Sequence, residues 1–176
     1  TDPIISLARD DVTVEWLEVK ASGSGNYSPP KCIYAFHAAS TDCVISHCIC
    51  HTDQATRLSS TSDIYGIVLQ PSGSDSNVAF DCIVFNVGNP THSVGTGFYQ
   101  HYGTTNAYNC TVYNCNKYGW HGTQPLSDAK NIIACGNGTD FYGTTGTRSY
   151  CLSSDSTADD DGGTGNIVDK SAANQF

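Results

Sequence analysis

The feature that most constrains the fold of this 176-residue chain is a short segment that recurs along it. The copies align at steps of 31, 34 and 28 residues, and they are residues 12–19, 43–50, 80–86 and 108–114. Two apolar columns run through the alignment: Leu17, Cys48, Cys82 and Cys110 form one, and Val19, Cys50, Val84 and Val112 form the other. Apolar and polar residues alternate within each copy, which is the period of a β-strand. Short strands that recur at roughly this spacing predict a solenoid, in which each turn of chain stacks on the previous one.

A second column indicates that each turn holds at least two strands. Its members are spaced 31, 31, 22 and 21 residues apart, and they are Phe36, Ile67, Phe98, Trp120 and Phe141. Segments rich in Ser, Gly, Pro and Asp separate the strands and predict loops at residues 21–31, 52–63, 70–77 and 88–95. No stretch keeps a helical spacing over three turns. The expected fold is therefore all-β, with six to seven coils and negligible helix.

The nine cysteines would suggest disulfides in a secreted protein, but their placement argues against it. Side chains in one column of a stack point in parallel, whereas a disulfide needs its two Cβ atoms to converge. We therefore expect Cys48, Cys82 and Cys110 to be buried free thiols. Four further cysteines lie off this column, and one bridge among them stays open: Cys32, Cys115, Cys135 and Cys151.

Several asparagines fall where the chain is expected to bend between strands. They are Asn86, Asn109, Asn114 and Asn131. Asparagine tolerates the left-handed backbone of such bends, and its amide bonds to an equivalent amide in the next turn. The pattern predicts left-handed residues and asparagine pairs along the stack.

The charge balance excludes two classes of partner. The chain has 17 acidic and 8 basic residues, for a net charge of -9, and it has no basic cluster. Nucleic acid and anionic membranes would repel such a surface. No apolar run approaches the roughly 20 residues that span a bilayer. We expect residues 1–176 to form one solenoid segment that belongs to a longer chain.

Three parts of the sequence carry a family resemblance. Residues 109–115, 129–134 and 165–176 resemble right-handed parallel β-helix proteins of the pectate-lyase-like superfamily, in particular its bacterial, metagenomic and phage branch. The resemblance implies a single-stranded right-handed parallel β-helix. It also implies an extracellular, cell-surface or virion location, and homo-oligomers such as trimers or filaments. The superfamily includes polysaccharide lyases, glycoside hydrolases, adhesins and phage tailspikes, so it leaves the function open.

The residues that catalytic members use do not occur in the expected arrangement. Lyases need an arginine near clustered acids, and Arg9, Arg57 and Arg148 fall in no such position. The Gly-Trp-His-Gly segment at residues 119–122 resembles a hydrolase motif but lacks the accompanying carboxylates. We therefore expect no catalysis within this segment. The alternatives are a secreted lyase or hydrolase with catalytic residues partly outside it, and a purely structural capsid-decoration or fibril subunit.

The strongest candidate for binding is a stripe of rings on one outer face. The residues that follow the second column would point outward, and so would those two places further on. Five of them are aromatic: His37, Tyr99, His101, His121 and Tyr142. Such rings stack on the apolar faces of sugars. The sequence favours a rigid scaffold that presents loops and this stripe to a glycan or a partner protein, although the stripe also suits a subunit contact or an ordinary β-sheet surface.

Metal sites are weakly indicated. The acidic, glycine-rich run that includes Asp159, Asp160 and Asp161 has the composition of a calcium loop but not the spacing of one. The simpler interpretation of this acidic run is a solvent-exposed bend. His47 and Cys48 begin a zinc-like cluster, but successive residues of a strand face opposite sides and cannot converge on one ion. No other cofactor is expected.

Overall fold

The computed structural model describes residues 4–21, 31–37, 42–52, 63–71, 76–89, 91, 93–123, 128–143, 146–159 and 163–169. These residues form eighteen short strands and one 3-10 helix, Thr157–Asp159. These three residues are the only helical ones in the described ranges. No helix in those ranges is long and apolar enough to cross a membrane.

The strands fall into three sheets of six. The first sheet contains β1 (Ile5–Leu7), β4 (Lys31–His37), β7 (Tyr65–Pro71), β10 (Thr96–Gln100), β13 (Tyr118–Gly122) and β16 (Thr139–Tyr142). The second contains β2 (Thr13–Glu15), β5 (Val44–Ser46), β8 (Ser76–Phe80), β11 (Thr104–Tyr108), β14 (Asp128–Lys130) and β17 (Arg148–Ser149). The third contains β3 (Glu18–Ala21), β6 (Ile49–Thr52), β9 (Ile83–Phe85), β12 (Thr111–Tyr113), β15 (Ile133–Cys135) and β18 (Leu152–Ser153).

Each coil of the chain contributes one strand to each sheet, and strands of successive coils pair in parallel. The result is a parallel β-helix of six coils, and a bridge from Leu152 to Ile167 begins a seventh rung. The predictions of an all-β solenoid with negligible helix are confirmed. Inward residues of the three sheets meet in one continuous core.

The first-sheet core column differs from the predicted one at a single coil. Phe98, Trp120 and Phe141 stack as expected, but the residue aligned with Ile67 is Ile33 rather than Phe36. Phe36 pairs with Gln70. Its predicted position would shift the strand by three residues and turn the fully buried Ile33 outward, because an odd shift exchanges the two faces.

The cysteines are all buried and free. The third-sheet register confirms the predicted columns, and it places Cys48, Cys82 and Cys110 on successive coils. All nine cysteines lie within the described ranges, and none forms a disulfide. The prediction that Cys151 lies off the column is wrong. Because Leu152 pairs with Ile133, Cys151 follows Ile132 in the same column.

The bends between the second and third sheets form a column of left-handed residues. Its members have φ values between 52° and 73°, and they are Trp16, His47, Asp81, Asn109, Asn131, Tyr150 and Gly165. Asn86 and Asn114 occupy a second such column beyond the third sheet, with φ of 55° and 53°. The predicted asparagine pairs are present: Nδ2 of Asn131 donates to Oδ1 of Asn109 at 2.9 Å, and Nδ2 of Asn114 donates to Oδ1 of Asn86 at 2.6 Å.

A polar cluster and the 3-10 helix close the core in the last described coil. The helix places Ala158 in the core beside Phe141. The guanidinium of Arg148, a residue only 1% exposed, lies 5.3 Å from the ring centroid of Phe141 and donates to the carbonyls of Thr157 and Gly143. This arrangement shields the end of the apolar core from water.

The thiol arrangement predicts how the cysteines react. Burial raises the pKa of Cys115 to about 12 and that of Cys135 to about 11, so these two thiolates are scarce at pH 8. Hydrogen bonds from Cys50 and Cys110 lower the pKa values of Cys32 and Cys82, but both thiols are buried and out of reach of a reagent. We expect a thiol-specific colorimetric reagent to label essentially none of the nine cysteines in the native protein and all nine in guanidinium. A count of seven in guanidinium without reductant would show a disulfide and contradict the fold described above.

The asparagine bends predict the order of stability of two variants. Valine at Asn131 would be forced to φ of 55° and would lose the bond to Asn109. The left-handed conformation costs a residue with a Cβ about 1–2 kcal/mol, whereas glycine adopts it freely. We expect urea unfolding to show Asn131→Val less stable than Asn131→Gly by about 1 kcal/mol or more. Equal stability would mean that the bend conformation is not what asparagine supplies there.

Candidate binding surface

The outer face of the first sheet brings most of the predicted stripe together. The register across the strands aligns Tyr34, Val68, Tyr99, His121 and Tyr142. His101 follows two residues after Tyr99, and the two rings stack at 5.3 Å. Tyr99, His101, His121 and Tyr142 therefore lie on one face, as predicted.

His37 is not aligned with this row. It pairs with Pro71, and Tyr34 occupies the position predicted for it. The error has the same cause as the misplacement of Phe36, since both residues belong to β4 and shift together. The side chain of His37 lies outside the described part of the structure.

Three further tyrosines complete a continuous surface of rings. We call it the aromatic surface, and its seven members are Tyr65, Tyr99, His101, Tyr102, Tyr118, His121 and Tyr142. Tyr65 stacks on Tyr99 at 5.0 Å, and Tyr118 stacks on Tyr142 at 4.2 Å with the planes 7° apart. His121 joins the two groups, because its ring centroid lies 4.9 Å from that of Tyr99 and 5.0 Å from that of Tyr118.

A repeated glycine positions two of these tyrosines. Gly66 and Gly119 follow Tyr65 and Tyr118, where the backbone packs against the next coil. A Cβ on Gly66 would lie 2.6 Å from the carbonyl oxygen of Gly97, and one on Gly119 would lie 2.8 Å from the carbonyl oxygen of Asp140. Glycine is therefore required at both positions. The recurrence of Tyr-Gly before an inward residue was the signal in the sequence that would have found both tyrosines.

One ion pair borders the aromatic surface. Nζ of Lys117 lies 2.9 Å from Oδ1 of Asp63 and 5.2 Å from the ring centroid of Tyr118. The hydrogen bond to Asp63 raises the pKa of Lys117, so the ammonium group stays protonated near pH 7. The pair adds a donor and an acceptor to the surface without adding net charge.

The two histidines of the surface are neutral near pH 7. Burial, with a smaller contribution from the charge of Lys117, lowers the pKa of His121 to about 4. Burial also lowers the pKa of His101. The pKa values of Tyr99 and Tyr118 are raised, again mainly by burial, so their hydroxyls stay protonated. The rings therefore form an uncharged surface on a strongly acidic chain.

The described acids near the rings do not form the pair of facing carboxylates that glycoside hydrolysis requires. Asp63 is the described carboxylate that borders the aromatic surface, and it is paired with Lys117. Asp140, isolated in the sequence, meets Asp155 in the fold: its backbone N–H donates to Oδ2 of Asp155 at 2.9 Å. Asp140 is 1% exposed and accepts hydrogen bonds from Asn137 and Ser154, so it stabilises the last coils and does not face a substrate.

The predicted calcium run gains no further support. Asp159 is exposed in the 3-10 helix, while Asp160 and Asp161 lie outside the described residues. In the part of the chain that can be described, no three His, Cys, Asp or Glu side chains cluster as metal ligands. Calcium binding stays a prediction.

A groove of about 600 Å³ lies on the outer face of the second sheet. It is lined by Tyr108, Asn109, Asp128, Ala129, Lys130, Asn131, Thr147 and Ser149. Several of its polar groups are engaged within its own wall: Asn131 donates to Asn109, and Oδ1 of Asp128 accepts from the backbone N–H of Thr147 at 3.0 Å. The aromatic surface, with seven rings in contact, is the stronger candidate.

Comparison with known proteins gives no relative for this chain: no family model, no curated protein and no solved structure matches it. The evidence for the parallel β-helical architecture is therefore the parallel pairing of strands in the three sheets. The resemblance to the pectate-lyase-like superfamily stays a prediction.

The environment of His121 predicts a pH dependence of stability. The ordinary histidine pKa of 6.5 describes the unfolded chain, and the folded pKa is about 4. Between these values the unfolded chain binds a proton that the folded protein does not, so stability falls as the pH drops from 6.5 to 4 and is constant above 6.5 for this group. Carboxyl groups titrate in part of this window, so the comparison needs a variant that lacks the imidazole.

We expect the free energy of unfolding to fall more steeply below pH 6.5 in the wild type than in His121→Phe. Urea unfolding at pH 7, 5.5 and 4.5 measures the difference. Proton NMR of the His121 ring provides a direct check, and a titration midpoint near 6.5 would contradict the burial described above.

Proposed function

We propose that this chain is a rigid β-helical scaffold, part of an extracellular or virion-surface protein, that binds a neutral glycan through the aromatic surface. The observation that carries the proposal is the continuous contact of seven rings on one outer face. We expect no catalysis within the segment.

The chemistry of the rings suits a sugar. The apolar C–H face of a pyranose packs on an aromatic face, while its hydroxyls need donors and acceptors at the edge. Tyrosine hydroxyls and neutral imidazoles supply both. Tyr102 and Tyr142, the most exposed members at 51% and 47%, offer accessible ring area.

The electrostatics favour a neutral glycan over an acidic one. The chain carries a net charge of -9, and the cation bordering the aromatic surface, Lys117, is already paired with Asp63. Among the described residues, the other cation near the rings is Lys31, whose Nζ lies 4.0 Å from the ring centroid of Tyr34. A uronic acid or sulfated polymer would meet long-range repulsion from the net charge, and both cations near the rings are already engaged.

The scaffold also supports binding because it holds the rings in place before a ligand arrives. The strands beneath the rings are paired on both sides in β7, β10 and β13. Ring positions fixed by the fold reduce the entropy that binding would cost. We also infer that the chain belongs to the pectate-lyase-like superfamily, because it combines the six-coil parallel topology with the sequence resemblance.

The test compares two tyrosine variants with a matched control. Tyr99→Ala and Tyr142→Ala remove stacking area, and we expect each to weaken binding of a soluble glucan, mannan or xylan about tenfold, since one stacked ring contributes about 1.4 kcal/mol. Tyr150→Ala removes a tyrosine of comparable exposure, 57%, from a bend outside the first sheet, and it should leave affinity unchanged. Affinity electrophoresis followed by calorimetry measures all four proteins.

Three outcomes would overturn the proposal. The first is no retention on any neutral polysaccharide, and the second is equal loss of affinity in Tyr142→Ala and Tyr150→Ala. The third is release of reducing ends or unsaturated products, which would favour a lyase or hydrolase.

A further inference from the structure

The outer face of the third sheet is largely apolar and separate from the aromatic surface. Two columns of outward side chains run along it. One holds Ile49, Ile83, Thr111, Ile133, Leu152 and Ile167, and the other begins with His51, Phe85 and Tyr113. We call these residues the isoleucine face.

Much of this apolar area is in contact with solvent. Ile83 is 45% exposed, and Ile49, Ile167 and Tyr113 are also exposed to solvent. The ring of Phe85 stacks on that of His51 at 4.7 Å, so the second column is continuous across these two rungs. Contiguous apolar area of this kind is unusual on the surface of a soluble monomer and marks a contact site.

Charge is confined to the two ends of the face. The first rung carries Glu18 and Lys20, and the seventh carries Asp169, while the described rungs between them present no Asp, Glu, Lys or Arg side chain. Glu18 is held by His51, whose Nε2 lies 3.0 Å from its Oε1. On a chain with a net charge of -9, this face is where a second copy meets little like-charge repulsion.

We infer that two copies of this chain form a dimer by packing their isoleucine faces against each other about a two-fold axis. Equal rung spacing in both copies, about 4.8 Å, lets the side chains of one copy fill the gaps of the other. A two-fold contact is self-complementary, so one patch suffices for both partners.

The size of the face agrees with a dimer. Seven rungs at about 4.8 Å span roughly 30 Å along the axis. The second column is interrupted by Cys135, which follows Tyr113 and is fully buried. The remaining outward residues of the two columns bury on the order of 1,000 Å² in total from both copies, which is at the lower end for specific interfaces. The charged ends also fit: Lys20 meets Glu18 of the second copy if the chains run parallel, and Asp169 of the second copy if they run antiparallel.

The experiment measures the mass in solution by sedimentation equilibrium across the micromolar range. We expect the wild type to reach twice the chain mass of 18.7 kDa. Ile83→Lys and Ile133→Lys place a charge from each copy inside the contact, and each should weaken the dimer at least tenfold. Thr147→Lys adds the same charge to an exposed position next to the second sheet, and it should leave the dimer intact.

Circular dichroism and melting temperature confirm that every variant folds, so loss of the dimer is not confused with unfolding. A wild type that stays monomeric throughout, a trimer, or an unchanged dimer in Ile83→Lys would each overturn the inference.

Carbodiimide cross-linking of mixed isotope-labelled and unlabelled chains gives a second readout. Inter-copy links from Lys20 to Glu18 or Asp169 support the contact, and links that exclude Lys20 contradict it. Because this face is separate from the aromatic surface, the dimer and glycan binding can each fail without the other.

Discussion

The backbone hydrogen bonds that join each residue to its counterparts one coil before and after determine the rest of this structure. They continue through the bends as well as the strands: the N–H of Asn109 donates to the carbonyl of Lys130, and that of Asn131 donates to Ser149. Since every coil must repeat the backbone path of its neighbours, residues at equal positions share one conformation and one environment. Left-handed bends, core columns and outward rows all follow from this repetition.

The repetition explains how much of the fold the sequence could predict. The sequence predicted the columns in which one residue type recurs for a clear physical reason. These are the buried cysteines and the asparagines at positive φ. The prediction failed where the spacing was ambiguous. Phe36 and Ile33 are both apolar and three residues apart, and the sequence alone does not show that Ile33 stacks on Ile5. Loops of unequal length between coils remove the spacing information that would have decided the register.

The candidate site was predicted in outline but not in its full extent. Tyr99, His121 and Tyr142 were found because they follow inward residues of one column. Tyr65 and Tyr118 lie two residues before inward ones, so strict alternation would turn them inward, and the recurring Tyr-Gly pair that marks them was not used. The neutral state of His121 also depends on burial by its neighbours, which no single position in the sequence indicates. The contact of Asp140 with Asp155 was missed for a similar reason, since the backbone N–H of Asp140 donates to a carboxylate 15 residues later that matches no column.

The sulfur chemistry of the core has a consequence for where this chain can mature. A fold without cystine needs no oxidant and no isomerase to reach its final state, so it forms equally well in a reducing cytosol. Its thiols, buried between coils, are also out of reach of oxidants once the chain has folded. The folded state is therefore compatible with a reducing medium and with an oxidising one.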